Sequence, residues 1–267
     1  VPAVLVVAVA LAAVLFWARR TPDTVVEAPP AGMPAEVSKT EAAAPPATQS
    51  ATPSRPSKSS ARAATLLQVV GDRYDFDPAD PNGAATSLAD ADWLHRHGFP
   101  DADAYDRLRR ASLDELEEAA KIDLRAQVIL AFNMAITGRY GNRPFELLED
   151  AAARGSIFAL ETWGDIHYTL KHYRNPVAGA AYYHLALRRG YFTAAGKKLI
   201  FAGTLNAEQR MLSDVYAEVA WLRLLDARKR TGTPPFAEAE LRPGFEQFVA
   251  TLEVAYGTPE PGTAPNP

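Results

Sequence analysis

Three groups of side chains in this 267-residue chain could, by type, do chemistry. His95-Arg96-His97 offers two imidazoles to a metal. On a helix, however, residues two apart point to different faces, and no third ligand stands at a matching spacing. Asp165, His167 and His172 are close in sequence, but the five-residue histidine spacing is not the i, i+4 arrangement of a helical zinc site. Glu146, Glu149 and Asp150 could work as acids on a glycan. At the head of a helix, acids are already explained by the N-terminal dipole. The chain has no cysteine, which removes disulfides, thiolate metal sites and cysteine nucleophiles. It carries no G-x-S-x-G, Walker-type or dinucleotide-type glycine pattern. The expectation is a non-enzyme with no metal and no cofactor. A net charge of −4 argues against a nucleic-acid partner, which needs a basic face.

The elements around these residues divide the chain into four stretches. Residues 1–18 are apolar until Arg19-Arg20. At 1.5 Å per residue such a run crosses a hydrocarbon core of about 30 Å. Residues 1–20 therefore read as a transmembrane helix, with Trp17 as an interfacial anchor. The sequence LFWARR has no small-x-small cleavage site, which favours an uncleaved signal anchor. Orientation has two readings. The arginine pair after the span favours a cytoplasmic C-terminal part by the positive-inside rule. The expectation taken here is a single-pass protein of a bacterial inner membrane whose C-terminal domain faces the periplasm. Residues 21–63 are rich in Pro, Ala, Ser and Thr and too poor in large apolar side chains to repay ordering, so they read as a disordered linker. Residues 258–267 read as a disordered tail.

Residues 64–257 show short amphipathic helices punctuated by Gly, Pro and Asn, with no alternation of β-branched residues that would indicate strands. Ser112 to Glu115 forms a capping box. The run 125–137 stops at Gly138, and Asn142 with Pro144 and Asn175 with Pro176 each open a helix. Glu208 to Lys229 is a further long helical pattern. A period is also present. Ala119-x-x-Ile122-x-x-x-Ala126, Ala152-x-x-Gly155-x-x-x-Ala159 and Leu187-x-x-Gly190-x-x-x-Ala194 are 33 and 35 residues apart, the length of a helix–turn–helix unit. Gly155 and Gly190 can stop one helix in a left-handed conformation, and Ala159 and Ala194 let the next approach closely.

The segments 159–168 and 180–194 resemble a Sel-like repeat of the tetratricopeptide class. The match rests on Ala159, Trp163-Gly164, Tyr182-Tyr183, Ala186, Gly190 and Ala194. Tyr168 falls one position late, and Gly179 stands where alanine is expected. The resemblance implies an all-α solenoid used for protein–protein contact, with no catalytic residues. Tyr182, Tyr183 and Gly190 then read as packing and helix-stop residues, and Arg188-Arg189 as cations at a helix C-terminus. Concave solenoid faces are lined by first-helix residues, so Trp163, His167, Tyr173 and Arg174 are the expected partner-binding residues. The function expected is a membrane-tethered helical-repeat scaffold for an unidentified protein partner. A cell-envelope glycan enzyme using Glu146 or Asp165, and the same scaffold facing the cytoplasm, stand as alternatives.

Overall fold

Local chemistry sets the helix ends. Ser112 Oγ accepts from the Glu115 N–H and the Glu115 carboxylate accepts from the Ser112 N–H, closing the capping box. Asn175 accepts from Ala178 N–H at one helix start and Pro176 occupies its first position. The computed structural model describes residues 58–79, 84–237, 240–246 and 248–250. These belong to a compact unit that begins at Ser57. The span and tail expected at residues 1–20 and 258–267, and the linker up to residue 57, lie outside the described residues. Among the described residues no helix is long and apolar enough to cross a membrane.

Ten α-helices with defined bounds and no strand occur among the described residues, and residues 245–246 and 248–250 are also helical. They are α1 (Lys58–Val70), α2 (Leu88–Arg96), α3 (Ala102–Arg110), α4 (Leu113–Ala119), α5 (Leu124–Thr137), α6 (Arg143–Ala153), α7 (Ile157–Thr169), α8 (Pro176–Arg188), α9 (Thr193–Ala202) and α10 (Ala207–Arg230). A 3-10 turn, Lys171–Tyr173, joins α7 to α8. The fold is all-α, as the periodicity predicts. Helix α1 begins at Lys58, so residues 58–63 are helical rather than linker. Ala63 and Val70 give that helix a buried face against α4, enough to hold a stretch that composition alone marks as unstructured.

Two apolar cores share α5. Ile129, Leu130 and Met134 face Leu108 and Leu116 in the smaller core, which α1, α3 and α4 complete. Val128, Ala131 and Ala135 face the larger core, built from α2 and α6 to α10. A helix buried on both sides has apolar residues nearly all round, which is why 125–137 shows no clean stripe. Helix α8 is the hub of the larger core, packing on α7, α9 and α10.

The three aligned sequence windows all fall at a helix–helix junction: α4 to α5, α6 to α7 and α8 to α9. After α6, Gly155 has φ +113°, its N–H bonds to Ala152 O and the Ser156 N–H bonds to Ala151 O. After α8, Gly190 has φ +95°, with Gly190 N–H on Leu187 O and Tyr191 N–H on Ala186 O. Both are Schellman ends. The first window lacks the glycine and has a different end. Ile122 has no left-handed φ and is exposed, and the chain leaves α4 through a turn in which the Ile122 and Asp123 N–H groups share Ala119 O. Ala159, Ala186 and Ala194 are fully buried at these contacts.

Candidate functional site

Helices α6, α7, α8 and α10 enclose a cleft of about 320 Å³. Helices α6, α7 and α10 each contribute residues three or four apart, hence one face, and α8 contributes one residue. Asn142, Phe145, Glu146 and Glu149 come from the start of α6, Trp163 and His167 from α7, Tyr182 from α8, and Tyr216, Ala220 and Arg223 from α10. The floor is a continuous aromatic stack. Tyr182 lies on Trp163 with centroids 4.1 Å apart and planes 13° from parallel, and Trp163 meets Phe145 at 5.8 Å. Phe145 in turn lies parallel to the His167 imidazole at 5.2 Å, and Tyr216 meets Tyr182 edge-on at 6.0 Å. Offset and edge-on pairs of this kind are the favoured aromatic geometries.

The 3-10 turn fixes His167. Its Nδ1 is 2.9 Å from Tyr173 O, and since a carbonyl only accepts, Nδ1 carries the proton. Nε2 is then the lone-pair nitrogen of the neutral ring, and burial holds the imidazole pKa below its ordinary range. Tyr173 is itself pinned, its hydroxyl donating to Gly141 O at 3.0 Å and its ring edge-on to Phe145. Two charged groups on the cleft walls, Glu149 and Arg223, make no hydrogen bond or ion pair among the described residues. The cleft thus combines an apolar aromatic floor, an imidazole acceptor and two uncommitted charges of opposite sign.

Of the four expected contact residues, Trp163 and His167 line this cleft. Trp163 is only 7% exposed, because Tyr182 and Phe145 occupy its faces, so it is floor rather than a projecting ring. Tyr173 supports the cleft from behind, and Arg174, exposed at the end of the turn, is not part of the lining. Phe145, Tyr216 and Arg223 were not singled out in the sequence, and Glu149 was considered only as an acid at a helix head. Their i, i+4 and i, i+7 spacing on α6 and α10 marks a face but not which face turns inward.

The packing residues have specific roles. A Cβ on Gly164 would lie 2.7 Å from the Tyr183 ring, so glycine is what lets α7 and α8 close up. Gly179 meets Gly164 O, where an added Cβ would stand at 3.3 Å, which accounts for glycine in place of the expected alanine. The Tyr183 hydroxyl donates to Asp165 at 2.5 Å, and Lys197 bridges Asp165 at 2.9 Å and Glu161 at 2.7 Å. Asp165, considered above as an acid for glycan chemistry, is therefore tied into a structural ion network. Glu146 pairs with Arg143 at the surface. His172 Nε2 is 2.7 Å from Ala135 O, well away from the duties of Asp165 and His167. Among the described residues no three His, Asp or Glu side chains converge as metal ligands. Arg188 bonds Glu218 at 2.9 Å and covers Trp221, while Arg189 lies over Phe236 at 4.1 Å, so the arginine pair is occupied by packing.

No protein-family model matches the chain, and neither a curated protein nor a solved structure does.

The lowered His167 pKa has a pH consequence. The unfolded chain binds a proton near the ordinary value of 6.5 that the folded cleft refuses, so stability is complete above that value and declines as pH falls below it. One such group contributes a slope of at most about 1.4 kcal/mol per pH unit. Urea midpoints measured at about pH 7.5 and about pH 5.5 should differ less in His167→Gln than in the parent. An identical pH difference in both proteins would remove His167 from the account.

Proposed function

We propose that this domain is a scaffold that holds a short segment of a protein partner in the aromatic cleft. The observation that carries the reading is the pair of uncommitted charges, Glu149 and Arg223, set on either wall above the Phe145–Trp163–Tyr182 floor. An extended peptide offers what such a site takes: an apolar or aromatic side chain for the floor, N–H groups for His167 Nε2, and charged ends or side chains for the walls. The repeated helix junctions and the Sel-like residues around them support a short α-solenoid whose inner face forms the cleft. In this reading the apolar residues 1–18 anchor the domain in a bacterial inner membrane, residues 21–57 tether it, and the periplasm is its working compartment. It takes no metal, no cofactor and no nucleic acid.

The test is site-specific photo-crosslinking in cells, using the full chain with a benzophenone amino acid at Asn142, on the cleft mouth, or at Val69, on α1. The position-142 probe should yield an adduct that the position-69 probe does not, and Arg223→Glu should abolish it. The reading fails if both positions give the same adducts, or if Arg223→Glu leaves the cleft adduct intact.

A further inference from the structure

Helix α10 has two faces. Ser213, Ala217, Ala220, Leu224 and Ala227 turn inward and are buried. On the opposite side, Met211, Leu212, Val215, Val219 and Leu222 are between 45% and 63% exposed. Single exposed apolar residues are ordinary, but a stripe of five along three turns is not. Other outer helices of the domain are finished differently, for example α3 with its Asp103–Arg107 and Asp106–Arg110 pairs. The α10 stripe also has the geometry of a helix-pair seam, since 212, 215, 219 and 222 step by three, four and three.

The order of residue types in the seam indicates its occupant. Leu212, Val215, Val219 and Leu222 read the same in both directions about residue 217. A two-fold axis at that point lays Leu on Leu and Val on Val, as an isologous contact between identical surfaces requires. The charges agree with an antiparallel arrangement. Glu208 stands at the N-terminal end of the face and Lys229 at the C-terminal end, where Arg230 is held by Asp226 at 3.1 Å. Antiparallel pairing sets the acidic end of one helix beside the basic end of the other. Parallel pairing would set Lys229 against its own copy.

We propose that the outward face of α10 binds the same face of a second copy of this chain, antiparallel, with Leu212 of one copy against Leu222 of the other and Val215 against Val219. The contact does not depend on what occupies the cleft, because the residues it uses point away from the larger core.

The cysteine-free chain permits a direct test. Full-length Leu212→Cys and Leu222→Cys proteins are oxidised separately and as a mixture. Position 212 lies ten residues, about 15 Å along the helix, from position 222. A disulfide needs Cα atoms within about 7 Å. In the antiparallel pair each variant alone therefore stays uncrosslinked, and only the mixture gives a disulfide dimer. Val219→Glu should convert the full-length protein to a monomer by sedimentation with its helical content unchanged, since the side chain is at the surface of each chain. Crosslinking of either variant with itself would indicate a parallel pair and overturn the proposal. So would the absence of any crosslink, as expected if residues 251–256 of the same chain or an unrelated partner cover the face. A dimer that survives Val219→Glu would overturn it as well.

Discussion

Replacing Arg242 with methionine should cost about 3–5 kcal/mol of folding stability, a large fraction of what a domain of this size holds. Arg242 and Asp90 are 6% and 0% exposed, and 152 residues separate them in sequence. Arg242 Nε and Nη2 donate to the two Asp90 oxygens at 2.7 and 2.9 Å, while Nη1 donates to Thr193 Oγ1 and Nη2 also to Ala84 O. Burial alone would lower the guanidinium pKa, and its hydrogen bonds to Asp90 together with the surrounding charges more than restore it. Without the arginine, the Asp90 carboxylate keeps its bonds from the Thr86 N–H and hydroxyl but stays charged and sealed from water. That stranded charge, rather than the loss of attraction, sets the size of the effect, so Asp90→Leu combined with Arg242→Met should recover part of the loss. Urea denaturation of the two single variants and the double variant measures this. A single-variant loss below about 1 kcal/mol would show that the pair is exposed to water in solution.

This contact also marks the limit of what the sequence shows. Signals that act over four residues are legible. Ser112 with Glu115, Asn175 with Pro176, and Gly155 and Gly190 at their helix ends each name a local hydrogen bond, and each bond is present. Burial of Tyr182 and Tyr183 follows from paired aromatics at the offsets expected of a helical repeat, and both are in the core. Trp163 exposes the weakness of that reasoning. A first-helix aromatic could face solvent or a neighbour, and the choice depends on Phe145 from the preceding helix and Tyr182 from the following one. The same holds for the cleft charges. Arg223 lies in a helix outside the three aligned windows, and only the packing of α10 on α6 brings it into one cleft with Glu149. Asp90 and Arg242 carry no local signature, because an ion pair that spans most of the domain leaves no period to read.

Gly190→Ala should be as damaging as the loss of Arg242, and by the same route. Three contacts converge there. The carbonyl of Glu240 sits over the Gly190 Cα and accepts from Trp93 Nε1 at 3.1 Å, and the Arg242 N–H donates to Gly190 O at 3.0 Å. An alanine Cβ would fall on the Glu240 carbonyl oxygen and within 2.9 Å of its carbon. Backbone cannot rotate away as a flexible side chain could. The φ of +95° adds about 1–2 kcal/mol for any residue with a Cβ. The entropy gained by restricting the unfolded chain, at most about 1 kcal/mol, does not offset these costs. Relief requires residues 240–242 to lift off, which also draws Arg242 away from Asp90. The two substitutions therefore break one structure, and their losses should overlap. In a double-mutant cycle, Gly190→Ala with Arg242→Met should cost less than the sum of the single losses by more than about 1 kcal/mol. Gly164→Ala is the control. Its added methyl meets the buried Tyr183 ring rather than the 240–242 segment, so its overpacking cost of about 1–3 kcal/mol should add fully to that of Arg242→Met. Additivity for Gly190→Ala as well would mean that residues 240–242 do not hold α2 and the α8–α9 junction as one unit.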